Sequence, residues 1–273
     1  MLLSIIVTHY KTPAVLKLCL GAIEKSCKNI GQEGYEIILS DSESIPETEA
    51  MVKEEFPKVI FIPFIKNVGY AKLVNSGLKK AKGDFILILN ADILPKDDSI
   101  ENLIKFLEEN PGAGMAGPQL LNFDDSPQPS AFRYYTPWTV ICRRTWLGRT
   151  PWGKKEIDRF LLKSNIQYPI SNIQDGIEVD WLMGSALMVK KEAVENVGLL
   201  DERFFMYFED VDWARRFWEN GYRVVYFPKV QMYHYHYKAS DKGRGLFDLF
   251  LNKQARIHLT SALKYFWKYR KGK

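Results

Sequence analysis

Short apolar segments alternate with helical patterns through the first half of the chain, and this alternation restricts the possible folds most strongly. The β-branched, apolar run 2–8 has the composition of a buried parallel strand, and a helical stretch from Pro13 to about Lys28 follows it. The further predicted strands are 35–40, 59–63, 85–89 and one starting at 114–118, and the further helices are 45–55, 71–81 and 99–109. Such alternation predicts an α/β fold with a mainly parallel sheet flanked by helices.

Acidic and amide side chains follow two of the predicted strands. Asp41 comes after the second strand, and Asn90-Ala91-Asp92 follows the fourth. Ligands of open α/β sheets bind beyond the carboxyl ends of the strands. A carboxylate there can hold Mg²⁺ or Mn²⁺, or accept a hydrogen bond from a nucleobase or ribose. These residue types are also common in turns, so position alone leaves both interpretations open.

Two further segments have the composition of binding sites. The turn at 67–69 (Asn-Val-Gly) enters a helix that contains Asn75, and a helix start offers unpaired N–H groups to an anion. The alternative is an ordinary loop with a glycine at positive φ. His234 and His236 follow a strand and would point the same way on an extended segment. Each is a metal ligand or a solvent-facing loop histidine.

The segment 198–216 carries the most informative cluster of side chains. Aromatic residues at 204–208 run directly into Glu209, Asp210 and Asp212. Apolar neighbours and nearby like charges raise the pKa of a carboxyl group, so one of the three can act as a general base near neutral pH. The alternative is the acidic first turn of a helix from Asp212 to Asn220.

The middle of the chain interrupts the alternation. Residues 124–178 contain five prolines, three tryptophans and two basic pairs, which predicts an irregular insert or lid. The three cysteines are an odd number without metal-ligand spacing, and neither a signal peptide nor an apolar run of about 20 residues is present. We therefore expect a cytoplasmic protein.

The C-terminal residues 241–273 form a basic tail. Nine basic and two acidic side chains give it a charge of +7, against +5 for the whole chain. The pattern predicts an amphipathic helix from about 245 to 268 whose apolar stripe comprises Leu246, Phe250, Ile257 and Phe266. Such a helix either contacts the anionic inner face of the cell membrane or packs on the domain.

Taken in order, these motifs resemble the family 2 glycosyltransferases with a GT-A fold, particularly their rhamnosyltransferase-like branch. The matching segments are 4–10 (SIIVTHY), Asp41, 67–77, the run from Gly83-Asp84 to Asn90-Ala91-Asp92, 181–185 (WLMGS), 198–205 (GLLDERFF), 209–212 (EDVD), Arg216, Gly221, and Pro228 with His234 six residues later. The resemblance implies a Rossmann-like GT-A domain over residues 1–240, with 124–178 on the acceptor side.

The resemblance implies a reaction as well as a fold. The reaction is inverting, metal-dependent transfer of one sugar from a nucleotide diphosphate to a hydroxyl of a saccharide or lipid-diphosphate-linked acceptor, in cell-surface polysaccharide synthesis. The leading donor is dTDP-rhamnose, with a UDP-sugar as the alternative, and the cofactor is Mg²⁺ or Mn²⁺. The Gln-x-x-Arg-Trp signature of processive synthases is absent, which favours addition of a single sugar.

The resemblance also assigns roles to residues. Nucleotide-sugar contacts are implied for Thr8, Tyr10, Asp41, Asn67, Gly69, Asn75, Asn90 and Ala91. Acceptor-side positions are implied for Trp181, Gly184 and Asp212. Asp92 and His234 would hold the cation or contact the diphosphate. The pair Glu209-Asp210 would supply the catalytic base, with Asp210 favoured.

Two departures from the family pattern concern the metal site. The motif opens with Asn90 instead of a carboxylate, which leaves Asp92 as its only charged ligand. The doubled histidine makes the family position ambiguous, although the spacing from Pro228 favours His234 over His236.

Two other functions compete with sugar transfer. A nucleotidyltransferase would carry a glycine-rich, basic loop after the first strand, where this chain has 9–12 (HYKT). A noncatalytic, basic nucleic-acid-binding protein would leave the carboxylates without a role, so we expect no nucleic-acid partner.

Overall fold

We describe residues 2–31, 33–163, 176–235 and 252–270 of a computed structural model. The strands are β1 (Leu3–Tyr10), β2 (Tyr35–Ser42), β3 (Ile60–Phe64), β4 (Phe85–Asn90), β5 (Ile93–Pro95), β6 (Ala113–Leu121), β7 (Pro127–Gln128), β8 (Ala131–Phe132), β9 (Ile177–Glu178), β10 (Trp181–Leu182), β11 (Ala186–Lys190) and β12 (Arg223–His234). The helices are α1 (Pro13–Ser26), α2 (Pro46–Glu55), α3 (Tyr70–Leu78), α4 (Ser99–Glu109), α5 (Pro137–Arg144), a 3₁₀ turn (Trp146–Arg149), α6 (Pro151–Phe160), α7 (Lys191–Val197), α8 (Glu209–Glu219) and α9 (Lys253–Lys268).

Within the described ranges, ten strands form one central sheet. Its path is β3-β2-β1-β4-β11-β6-β12-β5, with β7 beside β6 and β9 beside β12. The pairs β1–β2, β1–β4, β2–β3 and β6–β12 are parallel, as predicted. The strand β11 is antiparallel to both β4 and β6, which the alternation did not indicate. A five-residue apolar strand carries no pattern that reveals its direction.

Helices cover both faces of the sheet because successive side chains of a strand point to opposite sides. Ile5 and Val7 of β1 lie in a core cluster with residues of α1 and α4. Ile6, between them in sequence, lies in a second cluster with residues of α3, α7 and α8. This arrangement leaves the carboxyl ends of β1, β2 and β4 as one continuous edge of the sheet.

The insert is more regular than we predicted from its prolines. It contains α5, the 3₁₀ turn and α6, each preceded by a threonine that caps the helix. Thr136 Oγ1 accepts a hydrogen bond from the Thr139 N–H at 3.0 Å, and Thr150 Oγ1 accepts from the Gly153 N–H at 3.1 Å. Proline at the first position of both α-helices is a helix-start signal, so these prolines begin helices instead of breaking structure.

The exposed apolar side chains of the C-terminal helix α9 are not those of the predicted stripe. Of the four stripe residues, Leu246 and Phe250 lie outside the described residues, as does His236, and Ile257 and Phe266 are half-buried. Leu263 and Trp267 are the apolar side chains that α9 exposes. No helix in the described part of the chain combines the length and apolar character needed to cross a bilayer.

Candidate active site

Four residues that were predicted to contact the nucleotide sugar lie at the carboxyl ends of β1 and β4. Thr8 pairs with Asn90 across the two strands, and Thr8 Oγ1 donates a hydrogen bond to Asn90 Oδ1 at 3.0 Å. The backbone N–H of Ala91 donates to the Thr8 carbonyl at 2.9 Å. Tyr10 ends β1 and is exposed. These residues therefore lie at the carboxyl edge of the sheet.

Asp41 is positioned by a histidine of the neighbouring strand. Its Oδ1 lies 2.7 Å from Nδ1 of His9. The Thr12 N–H donates to Nε2 of the same ring at 2.9 Å, so Nδ1 carries the proton that Asp41 accepts. Asp41 is only 1% exposed, and its Oδ2 has no hydrogen-bond partner among the described residues. A buried acceptor of this kind requires an explanation, and a ligand donor supplies one.

Asp92 and His234 lie side by side because β5 pairs with β12. Ile93 pairs with His234, and His234 Nε2 is 3.7 Å from Asp92 Oδ2. His234 Nδ1 is 2.8 Å from Gln128 Oε1. The Gln128 amide nitrogen donates to Asn122 Oδ1 and to the His234 carbonyl, so Oε1 is an acceptor. Nδ1 of His234 therefore carries a proton, and the Nε2 lone pair is directed to the Asp92 side.

These groups fit a divalent cation. Asp92 Oδ1 is buried and has no hydrogen-bond partner within the described ranges. Burial raises the pKa of Asp92 to about 6, and a bound cation would lower it again. Carboxylate oxygen suits both Mg²⁺ and Mn²⁺, whereas an imidazole ligand favours the transition metal. Across the described residues no three His, Cys, Asp or Glu side chains converge on one metal position. Asp92 and His234 are the pair at this edge that could contribute ligands to a cation.

The turn at 67–70, which precedes α3, packs on the loop before α8. Asn67 Oδ1 accepts a hydrogen bond from the Gly69 N–H at 3.0 Å, and the φ of Gly69 is +83°. A Cβ on Gly69 would lie 2.4 Å from the Phe205 carbonyl oxygen, so only glycine fits. The Tyr70 N–H donates to that same carbonyl at 2.8 Å.

Asn75 does not have the orientation that a nucleotide contact requires. Its side chain is buried, and its Nδ2 donates to the Leu200 carbonyl at 2.9 Å and to Glu202 Oε1 at 3.0 Å. Its Oδ1 accepts from the Leu200 N–H at 3.0 Å. Asn75 therefore holds the loop after α7 against α3.

Helix α8 begins at Glu209, three residues before the predicted start at Asp212. The two preceding residues, Tyr207 and Phe208, both have φ of +68°, which is rare for aromatic residues. The N-cap is thus Phe208 and not one of the usual capping residues, so sequence signals could not locate it. Backbone strain of this kind concentrates at functional sites. Here it turns Glu209 and Asp210 into the first turn of the helix.

Asp210 is held by two backbone groups. Its Oδ2 accepts a hydrogen bond from the Gly184 N–H at 3.0 Å, and its Oδ1 accepts from the Val211 N–H at 2.9 Å. Burial raises the pKa of Asp210 to about 6, although both hydrogen bonds act in the opposite direction. A carboxyl group with this pKa is ionised at neutral pH and still basic enough to accept a proton, as a general base must be.

Glu209 differs from Asp210 in its surroundings. It is buried, and its Oε2 has no hydrogen-bond partner in the part of the chain described. Burial, together with the charge of Asp210, raises the pKa of Glu209 well above its usual range. Adjacent carboxyl groups whose pKa values are separated take different protonation states. The environment thus favours Asp210 as the ionised member of the pair.

Gly184 and Tyr70 connect the start of α3 with the start of α8. The Tyr70 hydroxyl donates a hydrogen bond to the Gly184 carbonyl. A Cβ on Gly184 would lie 3.3 Å from both Asp210 Oδ2 and the Tyr70 hydroxyl, which is closer than an ordinary van der Waals contact. The pKa of Tyr70 is raised by burial and then by the charges of Glu209, Asp210 and Asp92. The charges of three carboxyl groups therefore act on one buried phenol.

The backbone of segment 184–185 forms hydrogen bonds with both Asp210 and Asn90. Besides the bond from Gly184 to Asp210, the Ser185 carbonyl accepts from the Asn90 N–H at 2.9 Å. Asn90 stands two residues before Asp92. One short main-chain segment thus bridges the end of β4 and the start of α8.

Trp181 and Asp212, predicted on the acceptor side, both lie in the interior. The Trp181 ring is buried and stacks on Phe132 with a centroid separation of 4.4 Å. Asp212 is completely buried, with Arg216 Nε at 3.0 Å and Lys268 Nζ at 2.5 Å from its oxygens. Both side chains make their contacts inside the protein, so they stabilise the surroundings of α8 and do not face an acceptor.

Helix α9 packs on the loop that leads into α8. Ser261 Oγ donates to the Met206 carbonyl at 2.9 Å. The His258 ring lies 5.2 Å from that of Tyr207 and 5.3 Å from that of Phe208, the two residues with positive φ. The inner face of residues 253–268 therefore packs on the domain, which is one of the two alternatives predicted for the tail.

We expect Lys268→Met to lower the free energy of unfolding by about 2 kcal/mol, because the buried Asp212 carboxylate loses a charged hydrogen bond. Urea unfolding measures the change. Lys253→Met, at the exposed start of the same helix, is the matched control and should leave stability unchanged. Equal stability of both variants and the wild type would show that α9 does not pack on the domain in solution.

Sequence reasoning missed three residues that position the site: His9, Tyr70 and Gln128. His9 and Tyr70 stood in recognised motifs, but only the strand register and the helix packing reveal their partners. Gln128 lies in a two-residue strand of the insert, where no periodicity could indicate it.

The chain was compared with known proteins. Residues 4–197 match the family described as Glycosyl transferase family 2. The chain is 30% identical over 223 residues to N-acetylglucosaminyl-diphospho-decaprenol L-rhamnosyltransferase of Mycobacterium tuberculosis, covering 76% of this chain and 68% of the relative. It is 26% identical over 275 residues to rhamnosyltransferase WbbL of Escherichia coli K12, covering 97% of this chain and 92% of that protein.

A solved structure supports the fold. Mannosyltransferase PcManGT from Pyrobaculum calidifontis, in complex with GDP-Man and Mn²⁺, superposes with a TM-score of 0.59 at 18% identity. The match covers 96% of this chain and 64% of that protein, so the chain spans less than two thirds of it. The predicted fold class is confirmed, and sugar transfer is favoured over nucleotidyl transfer and nucleic-acid binding. The chain belongs to glycosyl transferase family 2 and is a glycosyltransferase with a GT-A fold.

Proposed function

We propose that the protein transfers one rhamnose, with inversion, from dTDP-rhamnose to a hydroxyl of a lipid-diphosphate-linked saccharide in cell-surface polysaccharide synthesis. Two relatives are named as rhamnosyltransferases, and one of them is named for a diphospho-decaprenol acceptor. The observation that carries the proposal is the Asp210 carboxyl group, which the Gly184 N–H holds at the start of α8 and whose pKa burial raises to about 6.

The donor would lie along the carboxyl edge of β1, β2 and β4. Asp41 Oδ2 would accept a hydrogen bond from the imide N–H of thymine, because His9 already occupies Oδ1. Uracil carries the same imide, so a UDP-sugar is the alternative donor. Thr8, Tyr10, Asn67, Gly69, Asn90 and Ala91 would form the wall along the sugar and diphosphate.

Asp92 and His234 would hold Mn²⁺ or Mg²⁺ next to the diphosphate. When bound, the cation offsets the negative charge that develops on the departing nucleotide diphosphate. Gln128 keeps the proton of His234 on Nδ1, so that Nε2 remains a ligand.

Asp210 would accept the proton of the acceptor hydroxyl. The hydroxyl oxygen then forms a bond to the anomeric carbon on the face opposite the diphosphate. The bond from that carbon to the diphosphate oxygen breaks, and its electron pair leaves with the nucleotide, which inverts the configuration. Glu209, whose pKa is higher, would stay protonated and limit the negative charge beside Asp210.

A thermal-shift comparison of nucleotide sugars tests the donor. We expect dTDP-rhamnose with Mn²⁺ to stabilise the protein most, by about 2.7 kcal/mol at a hundredfold excess over Kd. UDP-glucose, GDP-mannose and each sugar without the cation serve as comparisons. A larger shift with GDP-mannose than with either pyrimidine nucleotide would contradict the proposed donor.

A further inference from the structure

Residues 137–155, which we call the tryptophan unit, have an unusual composition. They comprise α5, the 3₁₀ turn and the start of α6. They include three tryptophans and five basic side chains but no aspartate or glutamate. Their charge of +5 equals the net charge of the entire chain.

The tryptophans of this unit are exposed. Trp146 is 71% and Trp152 is 80% exposed, and Trp138 and Ile141 are each 42% exposed. Trp138 and Ile141 are three residues apart on α5 and therefore lie on the same helix face. Tryptophan is highly buried on average, so exposed tryptophan rings on three adjoining short elements indicate a binding surface.

The three short helices that carry the tryptophans pack closely against one another. A Cβ on Gly148 would lie 2.2 Å from the Cys142 carbonyl oxygen, and a Cβ on Gly153 would lie 2.0 Å from the Leu147 carbonyl oxygen. The backbones of α5, the 3₁₀ turn and α6 thus pack in direct contact. The unit presents its tryptophans from a rigid base.

The tryptophan unit stands next to the catalytic helix. Tyr135, two residues before α5, packs on Phe208 with a centroid separation of 4.6 Å. Phe208 immediately precedes Glu209 and Asp210. The unit therefore adjoins the segment that leads into Glu209 and Asp210.

We propose that the tryptophan unit docks the enzyme on the surface of an anionic lipid bilayer. Tryptophan rings partition into the headgroup region, and each nearby basic residue adds attraction to anionic lipid. The complete lack of acidic residues in 137–155 matches a negatively charged surface and not a mixed protein interface. The benefit to catalysis rests on the proposed lipid-linked acceptor, which a docked enzyme would meet at the bilayer surface.

Vesicle sedimentation with the full chain tests this surface, using phosphatidylcholine vesicles with and without phosphatidylglycerol. We expect Lys154→Gln/Lys155→Gln to weaken binding to the phosphatidylglycerol vesicles about 30-fold at low salt, from about 1 kcal/mol per charge. Trp146→Ala/Trp152→Ala should weaken it by at least about tenfold. Binding of the wild type should fall as salt is added.

Two matched variants control for charge and for aromatic content. Lys79→Gln/Lys80→Gln removes an exposed lysine pair at the end of α3, and Trp267→Ala removes an exposed ring from α9. If the Lys79/Lys80 variant lost as much vesicle binding as the Lys154/Lys155 variant, net charge alone would explain the effect and the proposal would be overturned. Loss with Trp267→Ala and none with Trp146→Ala/Trp152→Ala would assign docking to α9 instead. Because no donor is present, a wrong donor assignment cannot affect the outcome.

Discussion

Asp210→Asn is expected to lower the rate of sugar transfer by about 10²–10⁴-fold, the usual contribution of a general base. The amide keeps the shape of the side chain and can still accept the Gly184 N–H, but it cannot take up the acceptor proton. Donor affinity should change little, because Asp210 lies on α8 and not on the donor edge of β1, β2 and β4. Transfer rate and donor affinity are therefore measured on the same variant.

Glu209→Gln is the matched control for that measurement. If Glu209 is already protonated, its amide variant should keep most of the activity. The wild-type rate should fall as pH drops below about 6, since Asp210 must be ionised to act, and this acidic limb should be absent from Asp210→Asn. Saturating Mn²⁺ keeps Asp92 ionised during the titration. An inactive Glu209→Gln beside an active Asp210→Asn would reverse the assignment, and two active variants would exclude this mechanism.

Asp92→Ala is expected to remove the metal dependence of donor binding and to weaken cation affinity by more than about 100-fold. Substitutions of groups that only support a metal ligand already cost about 10–100-fold, and Asp92 is itself the proposed charged ligand beside His234. Calorimetric titration of dTDP with and without Mn²⁺ measures the loss. Thermal unfolding of the variant checks that the fold is intact, which we expect because Asp92 lies in a turn at the sheet edge.

Gln128→Leu provides a graded comparison for Asp92→Ala. It removes the acceptor that keeps the His234 proton on Nδ1, so it should cost about 10–100-fold in cation affinity without abolishing the metal dependence. Retention of the full wild-type metal dependence by Asp92→Ala would show that the cation binds elsewhere.

The strand ends could be predicted from sequence because buried parallel strands form uninterrupted apolar runs, and the polar residue that ends each run is conspicuous. Asp41 and Asp92 were found in this way, and they lie at the ends of β2 and β4 at the sheet edge. The pairing of Asp41 with His9 was not visible, because it depends on the register between β1 and β2. Register follows from packing across the whole sheet and not from any local pattern.

Two errors had different physical causes. The insert was predicted as irregular because its prolines were taken as breakers, although Thr136-Pro137 and Thr150-Pro151 each combine a cap with a helix-starting proline. The start of α8 could not be found locally. Phe208 occupies a backbone conformation that its own residue type disfavours, and contacts from α9 and Tyr135 surround it. Tertiary packing determines this boundary.

The backbone bridge at 184–185 has a consequence for how the acceptor can change during evolution. Its hydrogen bonds to Asn90 and Asp210 are independent of the side chains that line the insert. The backbone of 184–185 thus constrains the separation between residue 90 and the Asp210 carboxylate, whichever side chains the insert carries. Substitutions in the insert can alter which hydroxyl is admitted while that separation stays constant, so selectivity for the acceptor can diverge without any loss of catalytic alignment.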